Sequence, residues 1–430
     1  MNSSLYRMNS SLYPSLLAAW LACSGPLTAQ EPEGPAPSAP QLDLGAPPGR
    51  MGGSASGFLG DFDPAFNPAI GVAIDVVAEF SGAPGRADRY NQVRARTVEL
   101  NLAHRFDPYG WAYVYLVAAD TGAETVVELE EAAMWFDQLP AELSLRAGRF
   151  LSDFGKWNTT HTHDKPFLSE DGVRREFFGG PLFLTGVELH QWFGLGDLPL
   201  RWSLGLGSGA EGDDHDSAGL AHDHGGGEPF GRRAFDNWAA TARFTGQHDA
   251  GANGYFQWGL NGFYTPGSLR FEDPDGVPDS GDEARSELRQ AVTALDLSWR
   301  TVDGSKGTAD TVGLELWHNL GQFEDPASGR LSSGPANGAW GFFEHAFSPY
   351  WAAGVQAAWW ERADAGAGDW FVGAAAGSTQ AAFLSWRLSE YNRLRIQLAH
   401  ENPGPGQEDF LVLALQWTVI LGSHSHSVDW

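Results

Sequence analysis

The chain of 430 residues carries 54 acidic and 27 basic residues, which gives a net charge of -27 at pH 7. This charge argues against nucleic acid as a partner, because nucleic-acid phosphates require basic patches on a protein. The chain has one cysteine, Cys23, so an intramolecular disulfide and a cysteine-based zinc site are excluded.

Residues 1–29 have the features of a signal peptide. The apolar stretch Leu16–Cys23 is too short to span a bilayer as a helix. Leu27-Thr28-Ala29 resembles a signal-peptidase site, while Leu21-Ala22-Cys23 leaves a lipoprotein signal open as the alternative. Both alternatives predict an exported protein.

The first residues repeat, since Met1–Tyr6 has the same pattern as Met8–Tyr13, and either methionine could start the protein. The next segment, residues 30–66, is rich in Pro, Gly and Ala and has no periodicity. This composition predicts a linker or N-terminal arm.

From residue 68 onward, apolar and polar residues alternate in segments of about ten residues, the period of a β-strand. Ile70, Val72 and Ile74, for example, share one face, and Asp75 and Glu79 fall on the other. The pattern predicts sixteen strands: 68–81, 92–106, 111–120, 125–137, 142–150, 183–193, 200–209, 235–246, 254–265, 287–301, 308–319, 338–347, 350–362, 378–389, 393–401 and 408–421.

The connectors between these segments are alternately short and long, as in bacterial outer-membrane barrels with short periplasmic turns and long extracellular loops. The short ones are Asp107–Gly110, Gln138–Glu142, Gly194–Pro199, Val302–Gly307, Ser348–Pro349 and Glu390–Asn392. The long ones are Leu151–Leu182, Ser208–Ala234, Gly267–Glu287 and Gly321–Asn337.

These patterns predict an all-β fold, a transmembrane antiparallel β-barrel of about 16 strands (16–18), in the outer membrane of a Gram-negative-type bacterium. The barrel would occupy residues 67–422, and residues 423–430 would form a tail that contains His424 and His426. Outer-membrane lipids would surround it.

Aromatic residues are abundant, with 18 Trp, 10 Tyr and 26 Phe. Because several tryptophans lie near segment ends, they indicate girdles at the two membrane interfaces rather than a soluble aromatic core. The examples are Trp111, Trp202, Trp299 and Trp351.

A lumen wide enough for water would be lined by Arg94, Arg96, Glu99, Asn101, Arg146 and Arg149. Arg96 and Glu99 cannot share one face of a regular strand at a spacing of three, which predicts a bulge or a rim position. For Glu130 and Glu131 we expect a polar strand face with one outward rim residue.

The segment Leu145–Phe167, LRAGRFLSDFGKWNTTHTHDKPF, resembles the phosphate-selective porin O/P-like superfamily, and more closely a branch of outer-membrane proteins with a G-R-F-x-x-D-F-G-x-x-N-x-x-H-x-H segment. The resemblance implies a 16- to 18-stranded barrel with a loop that folds inward after this motif and narrows the pore. Trimers are common among porins, so a homotrimer is compatible with the resemblance. The pore candidates are Arg149, Asp153, Lys156, Asn158, Lys165, Arg174 and Arg175.

One feature departs from a phosphate-selective channel, which needs a ladder of cationic side chains. The only lysines are Lys156, Lys165 and Lys306, and the charge of -27 would repel an entering anion. The sequence therefore favours the passage of cations or neutral solutes.

Two histidine sets suggest binding of zinc or another divalent cation, and we expect both in external loops. His-x-His at His161 and His163, with Asp164 beside it, places both imidazoles on one face of an extended segment. The other set, in the Gly- and Asp-rich connector, is His215, His222 and His224. The alternatives are a hydrated acidic loop for the second set and supports of a folded-in loop for the first.

The sequence thus predicts a porin-like channel for small solutes and no enzyme, because no nucleophile–base–orienter set is recognisable. A non-conducting structural or adhesive barrel is the alternative. A TonB-dependent metal receptor is disfavoured, since the arm at 30–66 is too short for a plug.

Overall fold

The computed structural model describes residues 68–82, 91–120, 125–169, 172–178, 180–211, 238–251, 253–271, 284–325, 330–361, 376–404 and 408–422. Within these residues sixteen antiparallel strands close into one barrel, in which each strand pairs with its neighbours along the chain and β1 pairs with β16. The strands are β1 (Ala69–Ser81), β2 (Gln92–Asp107), β3 (Gly110–Asp120), β4 (Thr125–Leu139), β5 (Leu143–Leu151), β6 (Phe183–Leu195), β7 (Leu198–Glu211), β8 (Trp238–Asp249), β9 (Gly254–Phe271), β10 (Ala284–Asp303), β11 (Thr308–Asp325), β12 (Arg330–Ala346), β13 (Trp351–Glu361), β14 (Ala376–Ser389), β15 (Asn392–Asn402) and β16 (Phe410–Gly422).

Two short helical segments accompany the strands: a 3₁₀ turn at Pro140–Glu142 and a helix, α1, at Gly172–Phe178. No helix in the described parts of the chain has the length and apolar character needed to cross a membrane. The predicted barrel of sixteen strands is confirmed, and each predicted strand overlaps an observed one.

Three predicted long connectors are wrong in extent, because the strands beside them are longer than their apolar alternation. β7 continues to Glu211, into Ser208–Ala234. β9 and β10 continue into Gly267–Glu287, and β11 and β12 continue into Gly321–Asn337. Backbone hydrogen bonds extend an antiparallel ladder without apolar side chains, so hydrophobic periodicity alone ends such strands too early.

The alternation of connectors defines two ends of the barrel. One end, here called the short-turn end, holds the connectors 108–109, 140–142, 196–197, 250–253, 304–307, 347–350 and 390–391. The other, the long-connector end, includes the connectors 152–182, 212–237, 272–283 and 362–375.

The two faces of the wall differ in polarity. In β16, Leu411, Leu413 and Leu415 point outward and are exposed, whereas Gln416 and Thr418 on the inner face are buried. Sequence polarity alone did not separate these two faces, because this strand is nearly all apolar.

Outward-facing aromatic side chains gather near the short-turn end, as a membrane girdle requires. They include Phe106, Tyr109, Phe193, Tyr350, Trp351, Trp386, Tyr391 and Trp417. The prediction is wrong for Trp111, which is buried and stacks on Trp135 at 6.2 Å between ring centroids. Trp111 occupies the inner face because it shares the strand face of Tyr113 and Val117, which are also buried.

Two strand irregularities turn acidic side chains inward. A register shift in β2 opposite Asp75 and Val76 leaves Arg96 as an extra residue, and both Arg96 and Glu99 are buried, which confirms the predicted bulge. A second shift leaves Glu130 as an extra residue in β4. Glu130 and Glu131 therefore both approach the lumen, and the expected outward rim residue is not there.

The seam between the first and last strands is held by Asp75, which is fully buried. Its carboxylate accepts hydrogen bonds from Arg96 Nε of β2 at 2.7 Å and from Gln416 Nε2 and Thr418 Oγ1 of β16, both at 2.8 Å. One carboxylate thus connects β1 with both of its neighbours.

Replacing Asp75 with alanine is expected to lower the free energy of unfolding by ~3–5 kcal/mol, because the Arg96 guanidinium stays buried without its carboxylate. Denaturant unfolding in detergent micelles measures the loss. Asp197→Ala, in an exposed turn, is the control and should stay within about 0.5 kcal/mol of the parent. Equal unfolding midpoints for the two variants would contradict the role of Asp75.

Candidate functional site in the barrel lumen

The connector 152–182, here called the lumenal loop, folds into the barrel. Ser152, Phe154, Trp157 and Asn158 are each at most 2 % exposed. The loop forms hydrogen bonds to wall strands on opposite sides of the barrel, including β8, β9, β11 and β15. It therefore crosses the lumen, as the resemblance implied.

The two ends of the loop are joined by Asn158. Its Nδ2 donates to the carbonyls of Ser152 at 2.7 Å and Leu182 at 2.9 Å, and its Oδ1 accepts from Leu182 N at 2.8 Å. Arg174 of α1 also donates to Oδ1, at 3.1 Å. The asparagine uses its amide donors and its acceptor to close the base of the loop.

Asp153 anchors the loop to β7 and β8. It accepts a hydrogen bond from Ser203 Oγ at 2.6 Å and forms ion pairs with Arg201 and, at 2.8 Å, with Arg243. Arg243 also pairs with Asp296 of β10 at 2.7 Å. All of these charged groups are buried, where an unpaired charge would be costly.

Glu315 of β11 provides the anchor across the lumen. It accepts a hydrogen bond from the backbone N–H of Trp157 at 3.3 Å, and it forms an ion pair with Arg174 at 2.7 Å. Gly155 N donates nearby to Asn261 Oδ1 of β9 at 2.8 Å. Gly155 has φ of +76°, and a Cβ there would lie 2.7 Å from Glu315 Oε1.

β15 holds the middle part of the loop through polar side chains. Arg393 and Arg395 donate to the carbonyls of His163 and Lys165, and Gln397 accepts from Leu168 N at 2.8 Å. These contacts use loop backbone atoms, so they fix the path of the loop whatever its side chains are.

Aromatic side chains fill the space between the loop and the strands β9 to β12. Phe154 lies 5.2 Å from Trp317, Trp157 lies 4.8 Å from Phe342, and Phe167 lies 5.3 Å from Trp340, all between ring centroids. Aromatic pairs at such distances add about 0.5–1.5 kcal/mol each beyond their buried area. The loop is therefore both packed and hydrogen-bonded on this side.

On the opposite side, the loop brings two imidazoles to a group of carboxylates. His161 Nδ1 lies 3.1 Å from Glu99 Oε2 and 3.3 Å from Glu130 Oε2, and His161 Nε2 lies 3.3 Å from Glu131 Oε1. His163 Nδ1 is 3.4 Å from Glu99 Oε2. The two rings are 5.9 Å apart and inclined at 32°.

The structure corrects the predicted placement of this pair. His161 and His163 are buried in the lumen and not in an external loop. The carboxylates nearest His161 come from β2 and β4, whereas Asp164 lies beside His163 at 3.6 Å. His215, His222 and His224 lie outside the described residues, and metal binding by them stays a prediction.

The remaining pore candidates divide between the lumen and the outer face. Arg149 lies on the face of β5 opposite the buried Arg146 and Phe150, donates to the Leu129 carbonyl at 3.1 Å and lies over Phe183. This places it outside the lumen, contrary to the prediction, because alternate residues of a strand point to opposite faces. The others belong to the lumenal loop: Asp153, Lys156, Asn158, Lys165, Arg174 and Arg175, of which Arg175 lies over Trp360 at 5.6 Å.

Several wall residues of this site were not singled out from the sequence. Glu315, Arg243 and Asp296 are charged residues on inner strand faces, and their alternation with apolar neighbours was a usable signal for the lumen. Their partners could not be predicted in the same way, because these depend on which strands stand opposite each other. Glu315 and Arg243 contact the loop, and Asp296 pairs with Arg243.

No protein-family model matches the chain, and no curated protein matches it. Solved structures of similar fold include OprB of Pseudomonas putida, with a TM-score of 0.52 and 10% identity over 83% of this chain and 94% of that chain. OmpT, an outer membrane protein of Vibrio cholerae, has a TM-score of 0.49 and 6% identity over 85% of this chain and 100% of that chain. The outer membrane channel DcaP of Acinetobacter baumannii has a TM-score of 0.49 and 9% identity over 83% of this chain and 96% of that chain. At these identities the likeness concerns the fold alone, and OprB shares with this chain the fold of a closed antiparallel β-barrel.

Gly155→Ala is expected to loosen the lumenal loop. A side chain at this φ costs ~1–2 kcal/mol, and the contact with Glu315 adds ~1–3 kcal/mol. Protease cleavage within 152–182 in the folded barrel should become faster. Gly251→Ala is a matched control, because Gly251 has φ of +79° and open space around it. Equal cleavage rates in the two variants would show that the contact with Glu315 does not hold the loop.

Proposed function

We propose that this protein is a porin-like channel of a bacterial outer membrane, through which small solutes pass a lumen narrowed by the lumenal loop. The observation that carries this proposal is a closed barrel with an apolar outer face and a polar inner face, crossed by a loop held through polar side chains. A closed sheet satisfies all backbone hydrogen bonds in lipid, and an inner face of this polarity suits water and solutes.

The proposed orientation follows from the two ends of the barrel. Short turns face the periplasm and long connectors face the exterior in bacterial barrels. We therefore propose that the lumenal loop enters the barrel from the outer side and that residues 1–29 are the signal peptide that directs export.

In this proposal, outer-membrane lipids contact the apolar face. The proposed assembly is a homotrimer, and chemical cross-linking of the protein in detergent is the test of this assembly.

The proposed solutes are cations or neutral molecules and not phosphate. Four of the buried arginines are paired with carboxylates rather than arranged as a free ladder: Arg96 with Asp75, Arg146 with Glu188, Arg174 with Glu315 and Arg243 with Asp296. A further one, Arg395, is bound by Gln416 and the Lys165 carbonyl. Their charge is thus compensated, and the net charge of -27 repels anions at the entrance.

A non-conducting structural barrel is the second candidate. The aromatic cluster of Phe154, Trp157, Phe167 and Trp317 favours it, because these rings are buried against one another inside the barrel. Current measurements separate the two functions, since the second candidate passes no ions.

The full chain in planar bilayers is expected to give single-channel currents, and Asp153→Ala is expected to increase their conductance. Removing one partner of a buried ion pair costs ~3–5 kcal/mol, which corresponds to a shift in the ratio of docked to released loop of at least about a hundredfold. Asp197→Ala, in an exposed turn, should conduct like the parent. Absence of channel events in both the parent and Asp153→Ala would reject the channel and favour the structural barrel.

Ion selectivity is expected to favour cations. In asymmetric potassium chloride, the reversal potential should have the sign of potassium permeation, and the preference should weaken as salt screens the surface charge. A reversal potential of the opposite sign would overturn the charge argument and restore an anion such as phosphate as the solute.

A further inference from the structure

Three side chains from separate parts of the chain converge where the lumenal loop meets β2 and β4. Glu99 of β2, Glu130 of β4 and His161 of the loop each offer one ligand atom, and these atoms lie within 4.8 Å of one another. Two ligands of a tetrahedral zinc ion, each about 2.0–2.2 Å from the metal, are about 3.3–3.6 Å apart. The distances from His161 Nδ1 to Glu99 and Glu130, 3.1 and 3.3 Å, are close to this separation.

His161 Nδ1 supplies an independent indication of a ligand. The residue is 6 % exposed, and Nδ1 points between two carboxylates without making a hydrogen bond of normal geometry. A buried polar atom gains from a partner of good geometry, since a missing hydrogen bond costs ~1–3 kcal/mol. A cation between the three side chains would bind Nδ1 and neutralise the carboxylates.

The other ring nitrogen is oriented for this role. His161 Nε2 lies 3.3 Å from Glu131 Oε1, and Glu131 is itself fixed, since its Oε2 accepts from Leu151 N at 2.9 Å and Tyr113 Oη at 3.3 Å. A proton on Nε2 directed at Glu131 leaves the Nδ1 lone pair for a metal. Histidine ligands in metalloproteins commonly have a carboxylate partner of this kind.

We propose that Glu99, Glu130 and His161 bind one divalent transition-metal cation, with zinc as the best match, and that this ion fixes the lumenal loop to the wall. Imidazole nitrogen with carboxylate oxygen suits zinc, whereas calcium and magnesium prefer all-oxygen sites. The bulge at Glu130 is what turns this carboxylate toward His161. The site is separate from the predicted set at His215, His222 and His224, and it does not depend on whether the barrel conducts.

Zinc titration of the purified full-length barrel, against a chromogenic competing chelator, tests the site. We expect one zinc equivalent that is lost in His161→Gln and Glu99→Gln. Glu131→Gln should bind about 10–100-fold more weakly, because it orients the ligand. The matched controls are His224→Gln, in the histidine set predicted from the sequence, and Glu344→Gln, a buried inner-face carboxylate; both should retain this equivalent. Unchanged binding by His161→Gln, or its loss in His224→Gln, would overturn the proposal.

Two measurements remain decisive if a variant does not fold. X-ray absorption of the zinc-loaded parent protein should show one imidazole with oxygen ligands, and a shell with two or more imidazoles would overturn the proposed ligand set. Zinc should also raise the denaturant midpoint of the parent protein, because the ion binds the folded loop and wall together. No shift in the parent protein would contradict fixation of the loop.

Discussion

Closure of the sheet is the constraint on which the rest of this structure depends. In hydrocarbon, backbone N–H and C=O groups find no water, so a spanning sheet must leave no unpaired edge. The first and last strands pair from Gly71 with Gly422 to Ser81 with Val412, and Asp75 fastens this seam by accepting from both neighbouring strands. Residues from opposite ends of the chain thereby become neighbours, and the lumen is defined.

A barrel of this size encloses more space than its own wall side chains fill, and the lumenal loop occupies part of it. The loop and the wall depend on each other, because their charges are buried together. Asp153 needs Arg201 and Arg243, and Glu315 needs Arg174. Aromatic packing between the loop and β9 to β12 adds a water-excluding contact, whereas on the opposite side the carboxylates of β2 and β4 meet the two imidazoles, with Tyr115 packed on His161.

Single-residue irregularities have large effects in such a wall. A regular strand would alternate Glu130 and Glu131 between the outer face and the lumen, and a bulge turns both inward. A similar shift in β2 lets Arg96 and Glu99 share the lumen. These two bulges concentrate acidic side chains opposite His161, and the local charge of the lumen depends on them more than on the composition of the strands.

The sequence by itself determined the positions of the strands, a barrel of about sixteen of them and the alternation of connectors, because side-chain periodicity and turn residues are local properties. The loop that enters the barrel was implied by the resemblance of a short motif. Only the tertiary structure decided what the loop meets. Asn261, Glu315 and Gln397 contact it from strands more than one hundred residues away, and closure of the barrel sets these distances. The tertiary structure likewise decided that Arg149 faces outward and that His161 lies among carboxylates. Strand register and bulges, not residue types, assign each side chain to a face.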